Sequence, residues 1–114
     1  MKELVIQSRQ LNKKIQASPE YNRYLVTKEK LMADGELYRK MNEFRKRNFE
    51  LQNKGDGVNR YDEIRNLASE YNLLLHNALV NDFLMAEQRI CRLMQDIYKE
   101  LARDIEFDFE YMDM

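Results

Sequence analysis

The chain has 114 residues, 34% of them charged and 44% apolar, with three glycines, one proline and a formal net charge of −1. That length fits one domain with a modest core, and the recurring Leu, Ile, Tyr, Phe and Met exclude a disordered chain. So little Gly and Pro excludes a many-turned β fold, and the near-neutral balance excludes a general polyanion binder.

The first predicted helix runs from about Lys2 to Gln16, with Leu4, Leu11 and Ile15 near one stripe. Its start, Met1-Lys2-Glu3-Leu4, carries no long apolar run and no small-residue cleavage site, so it does not read as a signal peptide. Ser18-Pro19-Glu20 is a helix start: Ser18 as N-cap, Pro19 at the first helical position and Glu20 on the positive end of the dipole. The second helix places Tyr21, Tyr24, Leu25, Lys28, Leu31 and Met32 on one face. Asp34-Gly35-Glu36 is the next stop and restart, with Asp34 as the cap. The third helix sets Leu37, Tyr38, Met41, Phe44, Asn48 and Leu51 on one side.

Asn53-Lys54-Gly55-Asp56-Gly57 is the clearest loop, and Asn59 reads as the cap of a fourth helix. That helix carries Tyr61, Ile64, Leu67, Ala68, Tyr71, Leu74 and Leu75. Asn77 opens the fifth and longest helix, where Val80, Phe83, Leu84, Glu87, Ile90, Cys91, Met94, Ile97, Tyr98 and Leu101 keep a helical period. At 1.5 Å per residue this rod is roughly 40 Å long, more than a core of this size covers. The expected fold is all-α: an antiparallel bundle of about five helices over residues 1–104, ending in the long helix. A tail of residues 105–114 follows. The spare length calls for a partner, most simply another copy of the chain, so a homo-oligomer is expected, with the third and fifth helices at the contact.

A faint echo recurs at a spacing of 59: Ser18-Pro19-x-Tyr21-x-x-Tyr24-Leu25 against Asn77-Ala78-x-Val80-x-x-Phe83-Leu84. A duplication and shared helix-start grammar both produce it.

The search for chemistry returns little. His76 is the only histidine, at the end of the fourth helix, where an imidazole meets the last carbonyls. Cys91 is the only cysteine, so no intrachain disulfide forms. On the apolar face of the fifth helix it reads as a small core hydrophobe. There is no Cys pair, His-Glu-x-x-His, Glu-x-x-His or phosphate loop. No catalytic, cofactor-binding or metal-ligating residue is assigned, no cofactor is expected, and the chain does not read as an enzyme. With no apolar run of membrane-spanning length and no disulfide framework, a cytoplasmic location is expected and a membrane partner is not.

Three features remain as interaction candidates. Arg45, Lys46 and Arg47, with Arg39, Lys40 and Lys54 nearby, form a basic cluster, but Glu36, Glu43 and Glu50 interleave with it. A solvated face is the plainer reading, and an RNA-binding accessory role for the third helix is the alternative. Glu87 interrupts the apolar face of the fifth helix and needs a donor there: an Arg or Lys of a facing helix, or a Tyr hydroxyl such as Tyr24 or Tyr71. Arg89 faces more toward solvent. Last, Ile105 to Tyr111 alternates apolar and acidic, which is strand grammar with Phe107, Phe109 and Tyr111 on one side. Residues 104–114 hold five carboxylates and no basic residue, leaving the rest of the chain at about +4. This tail is expected to bind a partner or subunit rather than to build the fold.

Ser18-Pro19-Glu20-Tyr21, Met41-Asn42-Glu43-Phe44-Arg45 and Met85-Ala86-Glu87-Gln88-Arg89-Ile90-Cys91-Arg92-Leu93-Met94, in this order and spacing, resemble the YlbF/YmcA family of YheA/YmcA-like small helical proteins. The resemblance spans about residues 1–105. It implies a non-enzymatic protein that self-associates and acts as a regulatory adaptor. Some members join a multiprotein complex affecting competence, sporulation, biofilm formation and messenger RNA maturation in Gram-positive bacteria. Members that help hold iron–sulfur centres there carry a cysteine cluster near the C-terminus; this chain has acidic and aromatic residues in that place.

Overall fold

A computed structural model describes residues 1–53, 60–108 and 110–113. The expected loop residues Lys54–Gly57, the Asn59 cap and Phe109 lie outside them. The described residues form six α-helices: α1 (Lys2–Gln16), α2 (Pro19–Met32), α3 (Gly35–Gln52), α4 (Arg60–Glu70), α5 (Asn72–Leu75) and α6 (Ala78–Ala102). A 3-10 turn, η1 (Glu110–Asp113), follows. The fold is all-α, as expected.

Local chemistry sets the boundaries. The Ser18 hydroxyl accepts from the Tyr21 N–H at 3.2 Å, the Asp34 carboxylate from the Leu37 N–H at 3.1 Å, and the Asn77 side chain from Leu79 and Val80 at 2.9 and 3.3 Å. Each cap satisfies donors that a helix start leaves open. The expected fourth helix is two. Tyr71, at φ −102° and ψ 22°, leaves helical geometry between α4 and α5. Its ring is held from the side by Phe44, 5.3 Å between centroids, and its hydroxyl accepts from Arg47 at 3.1 Å. His76 donates from Nδ1 to the Asn72 carbonyl at 2.8 Å, closing α5 as a helix end requires.

The core is small and lies at one end. Leu31, Met41, Val80 and Phe83 are its fully buried centre, with Leu67, Ala86 and Thr27 also buried. The main contact is α2 on α6, two antiparallel helices. These are the helices that carry the sequence echo, and its equivalent residues Tyr24 and Phe83 meet there, 5.4 Å between ring centroids. Thr27 and Ala86, also equivalent, are both buried. Thr27 is tolerated there because its hydroxyl donates back to the Arg23 and Tyr24 carbonyls, at 2.9 and 3.1 Å.

One expectation is corrected, and the bundle is looser at one end than at the other. Among the described residues α1 has no fully buried residue; it packs most closely on α2, with Leu11 and Ile15 half-buried. The radius of gyration is 18.5 Å, where a compact chain of this length has about 13 Å. The molecule exposes 9788 Å², against roughly 6,700 Å² for a compact monomer of its mass. Cys91 is exposed rather than core, because among the described residues no helix covers the face of α6 on which it lies.

Candidate functional site

Below the core, α6 runs on with its apolar stripe intact, and α1 returns beside it in the opposite direction. Between them is an open groove of about 520 Å³. Leu4, Leu11 and Ile15 line one wall, and Met94, Ile97 and Leu101 the other. Leu4 is 67% exposed and Leu101 58%. Gln7, Ser8 and Asn12 are the polar residues at its edge. The sequence places Leu4, Leu11 and Ile15 on one stripe and carries the α6 stripe to Leu101; the structure brings the two stripes to face each other across the groove, half-buried at Leu11, Ile15, Met94 and Ile97 and exposed at their ends.

The interaction candidates lie elsewhere. Glu87 is half-buried on α6, and its partner is Arg45 of α3, which donates to its carboxylate. Arg45 also donates to Asn42 at 3.1 Å, and its guanidinium lies over the Phe83 ring, 5.3 Å from the centroid. A charge pair thus rests on the most buried aromatic ring. Arg89 is exposed, beside a shallow hollow formed with Pro19, Glu20 and Arg23.

Arg47 donates to Glu70 at 2.7 Å, and its guanidinium lies 5.4 Å from the Tyr71 centroid. The hydrogen bonds to Glu70 and then Tyr71 raise its pKa above the ordinary arginine value. In return, the bond from Arg47 holds the Glu70 carboxyl below the usual range. Arg39 pairs with Glu43 and Lys40 with Glu36, at 3.5 and 3.8 Å. Among the described residues, Lys46 is exposed and is the α3 cation for which no carboxylate partner is seen. Among the described residues the basic cluster is therefore mostly neutralised within the fold and presents no contiguous positive patch. Phe49, 68% exposed beside Lys46, was not picked out from the sequence, since it lies off the periodic face.

Among its described residues the tail forms no strand. Arg103 at φ −57°, ψ 129°, Asp104 at φ 60° and a bond from the Ile105 N–H to the Ala102 carbonyl make a type II turn that breaks the chain away from α6. The Asp108 carboxylate accepts from the Glu110 N–H at 3.1 Å and caps η1. That local bond outcompetes the extended form the alternation suggested. Phe107 and Tyr111 are each 65% exposed.

Comparison with known proteins places the chain. The family described as "Control of competence regulator ComK, YlbF/YmcA" matches residues 5–106. This chain belongs to the YlbF/YmcA family. Among curated relatives, a UPF0342 protein of Caldicellulosiruptor bescii is 31% identical, over 84% of this chain and 82% of its own. One of Symbiobacterium thermophilum is 28% identical, over 89% and 92%. One of Desulfitobacterium hafniense is 30% identical, over 86% and 81%. No solved structure matches. The YlbF/YmcA match covers the lining of the α1–α6 groove except Leu4 and ends at the second residue of the tail. Its description is regulatory, not enzymatic. Among the described residues, no helix is long and apolar enough to cross a membrane.

Proposed function

We propose that this protein acts without catalysis, as a self-associating adaptor in regulation of the kind its family description names, and that the α1–α6 groove is its working surface. The supporting observation is α1 itself. A helix of fifteen residues with no fully buried residue is marginal in water. Its apolar stripe, half-buried at Leu11 and Ile15, faces a second stripe half-buried at Met94 and Ile97, and one partner would cover both. The surface beyond that of a compact monomer is about 3,000 Å² per chain, so covering part of it in each of two copies reaches the total an obligate homodimer buries. A second copy offers the same two stripes, and a symmetric contact of α1 and α6 with α1 and α6 completes a four-helix layer. The contact expected on the third helix moves to α1, because α3 spends its apolar face on the chain's own core through Met41. Other proteins of a regulatory complex would then meet an assembled dimer. Cytoplasmic residence fits this role.

Sedimentation equilibrium tests the reading: reversible dimers at micromolar concentration are expected, and a monomer throughout that range contradicts it. An RNA shift assay at low salt is expected to show no specific complex, since four of the five α3 cations have carboxylate partners.

A further inference from the structure

The groove takes up one side of the open half of α6, and a second surface continues from it. Leu84, Glu87, Cys91, Met94, Tyr98 and Leu101 follow one another at spacings of three and four. That strict repeat is the seam of a coiled coil, in which each side chain enters a hole on a facing helix. The top of the seam is taken by α3: Arg45 holds Glu87, and Phe44 and Phe49 share a hollow with Leu84. Below Glu87 the seam lies open. Cys91, Tyr98 and Leu101 are exposed and Met94 is half-buried. Ile90, Cys91, Met94, Gln95 and Tyr98 line a shallow hollow of about 260 Å³ there. Met94 and Tyr98 also line the α1–α6 groove, so the two surfaces are continuous.

The flanks of this open seam carry no charge. Gln88, Gln95 and Ala102 border it on one side, Ile90 and Ile97 on the other. Arg89, Arg92, Asp96, Lys99, Glu100 and Arg103 all fall on the opposite face of the helix. Charges beside a seam select the partner and its direction; without them, space and shape decide. A parallel copy would run the upper half of its α6 into α3. An antiparallel copy overlaps only the open lower half and leaves the two cores at opposite ends. Its layers are balanced as well. Cys91 meets Leu101 of the second copy and Met94 meets its Tyr98, a smaller side chain against a larger one each time.

We infer that the lower half of α6 pairs antiparallel with the same segment of a second copy, about a two-fold axis level with Asp96. The inference rests on the self-association proposed above and gives it a direction and a register.

Thiol chemistry on the full chain tests it. In this register the two copies of Cys91 stand about 15 Å apart along the helices, whereas a disulfide needs Cα atoms within roughly 7 Å. Mild oxidation with diamide should therefore leave wild-type dimers uncrosslinked. Leu101→Cys with native Cys91 should give covalent dimers, because the introduced thiol lies opposite the second copy's Cys91. Leu101→Cys combined with Cys91→Ser should give none. A measurement on the unaltered chain decides the matter where a variant folds poorly. Reaction of Cys91 with a water-soluble aromatic disulfide should slow about tenfold as protein concentration rises through the dimerisation range. Wild-type dimers crosslinked through Cys91, a folded and dimeric Leu101→Cys chain that does not crosslink, or a Cys91 reaction rate indifferent to dimerisation overturns the register and leaves the groove dimer standing. A wild-type chain that is itself monomeric removes both.

Discussion

The two ends of α6 carry the same amphipathic spacing and meet different surroundings. From Val80 to Ala86 its apolar face is sealed by α2 and α3, and Val80 and Phe83 are buried to within 1%. From Ile90 to Leu101 the stripe continues, yet Tyr98 is 64% exposed and Leu101 58%. Nothing in the periodicity changes between the two. The difference teaches that an apolar stripe reports what a helix is meant to bury, not which chain supplies the cover. Where the chain's own helices give out, at α1 and the lower half of α6, lies the surface proposed above to take a second copy.

This contrast can be broken at either end. Phe83→Ala at the sealed end should cost about 3–4 kcal/mol, from lost burial and the cavity left under Arg45. Chemical denaturation should show that loss at any protein concentration. Leu11→Glu with Ile97→Glu at the open end should behave in the opposite way. Dimerisation should weaken by about a hundredfold or more, since two charges would enter an apolar contact. At high dilution the remaining monomer should melt like dilute wild type, and the concentration dependence of its melting temperature should vanish. A variant pair that loses stability equally at all dilutions would place these residues in the chain's own core.

Smaller effects sharpen the boundary between the regions. Glu87→Ala should destabilise by about 1 kcal/mol more than Arg89→Ala, because it strands Arg45 on the Phe83 ring while Arg89 faces water. Equal urea midpoints for the two would refute this. The weakest effect is the Arg47–Glu70 pair, which is solvent-exposed. The folded state lowers the Glu70 pKa through the bond from Arg47, so the pair's contribution is whole above the ordinary carboxylate range. It is lost as the pH falls through the depressed value. Glu70→Gln should flatten that part of the acid limb and leave stability at neutral pH almost unchanged.

What the sequence conveyed follows from how local each feature is. Ser18, Asp34 and Asn77 cap helices with bonds two or three residues long, so both their role and the helix starts were legible. The need of Glu87 for a donor was legible from its place in an apolar stripe. That the donor is Arg45, 42 positions away, depends on how α3 crosses α6. Thr27 was passed over as polar, although hydroxyl bonds to its own helix let it pack as a small core residue. Leu25 and Met32 were placed on the core face but are 42% and 50% exposed, because Thr27 and Leu31 turn α2 toward α6 instead. Cys91 departs from its core reading because its stripe is apolar, but among the described residues nothing covers it. The break at Tyr71 had no sequence signal, since no Gly or Pro marks it and the constraint comes from Phe44 and Arg47.

Backbone amide exchange of α1, followed against protein concentration, tests the central claim most directly. A helix that packs only on a second copy should exchange quickly in dilute solution. It should become protected as dimers form, while the amides around Leu31 and Val80 stay protected throughout. If the α1 amides are as protected at nanomolar concentration as those of α2, the helix is held by its own chain and the groove needs no partner.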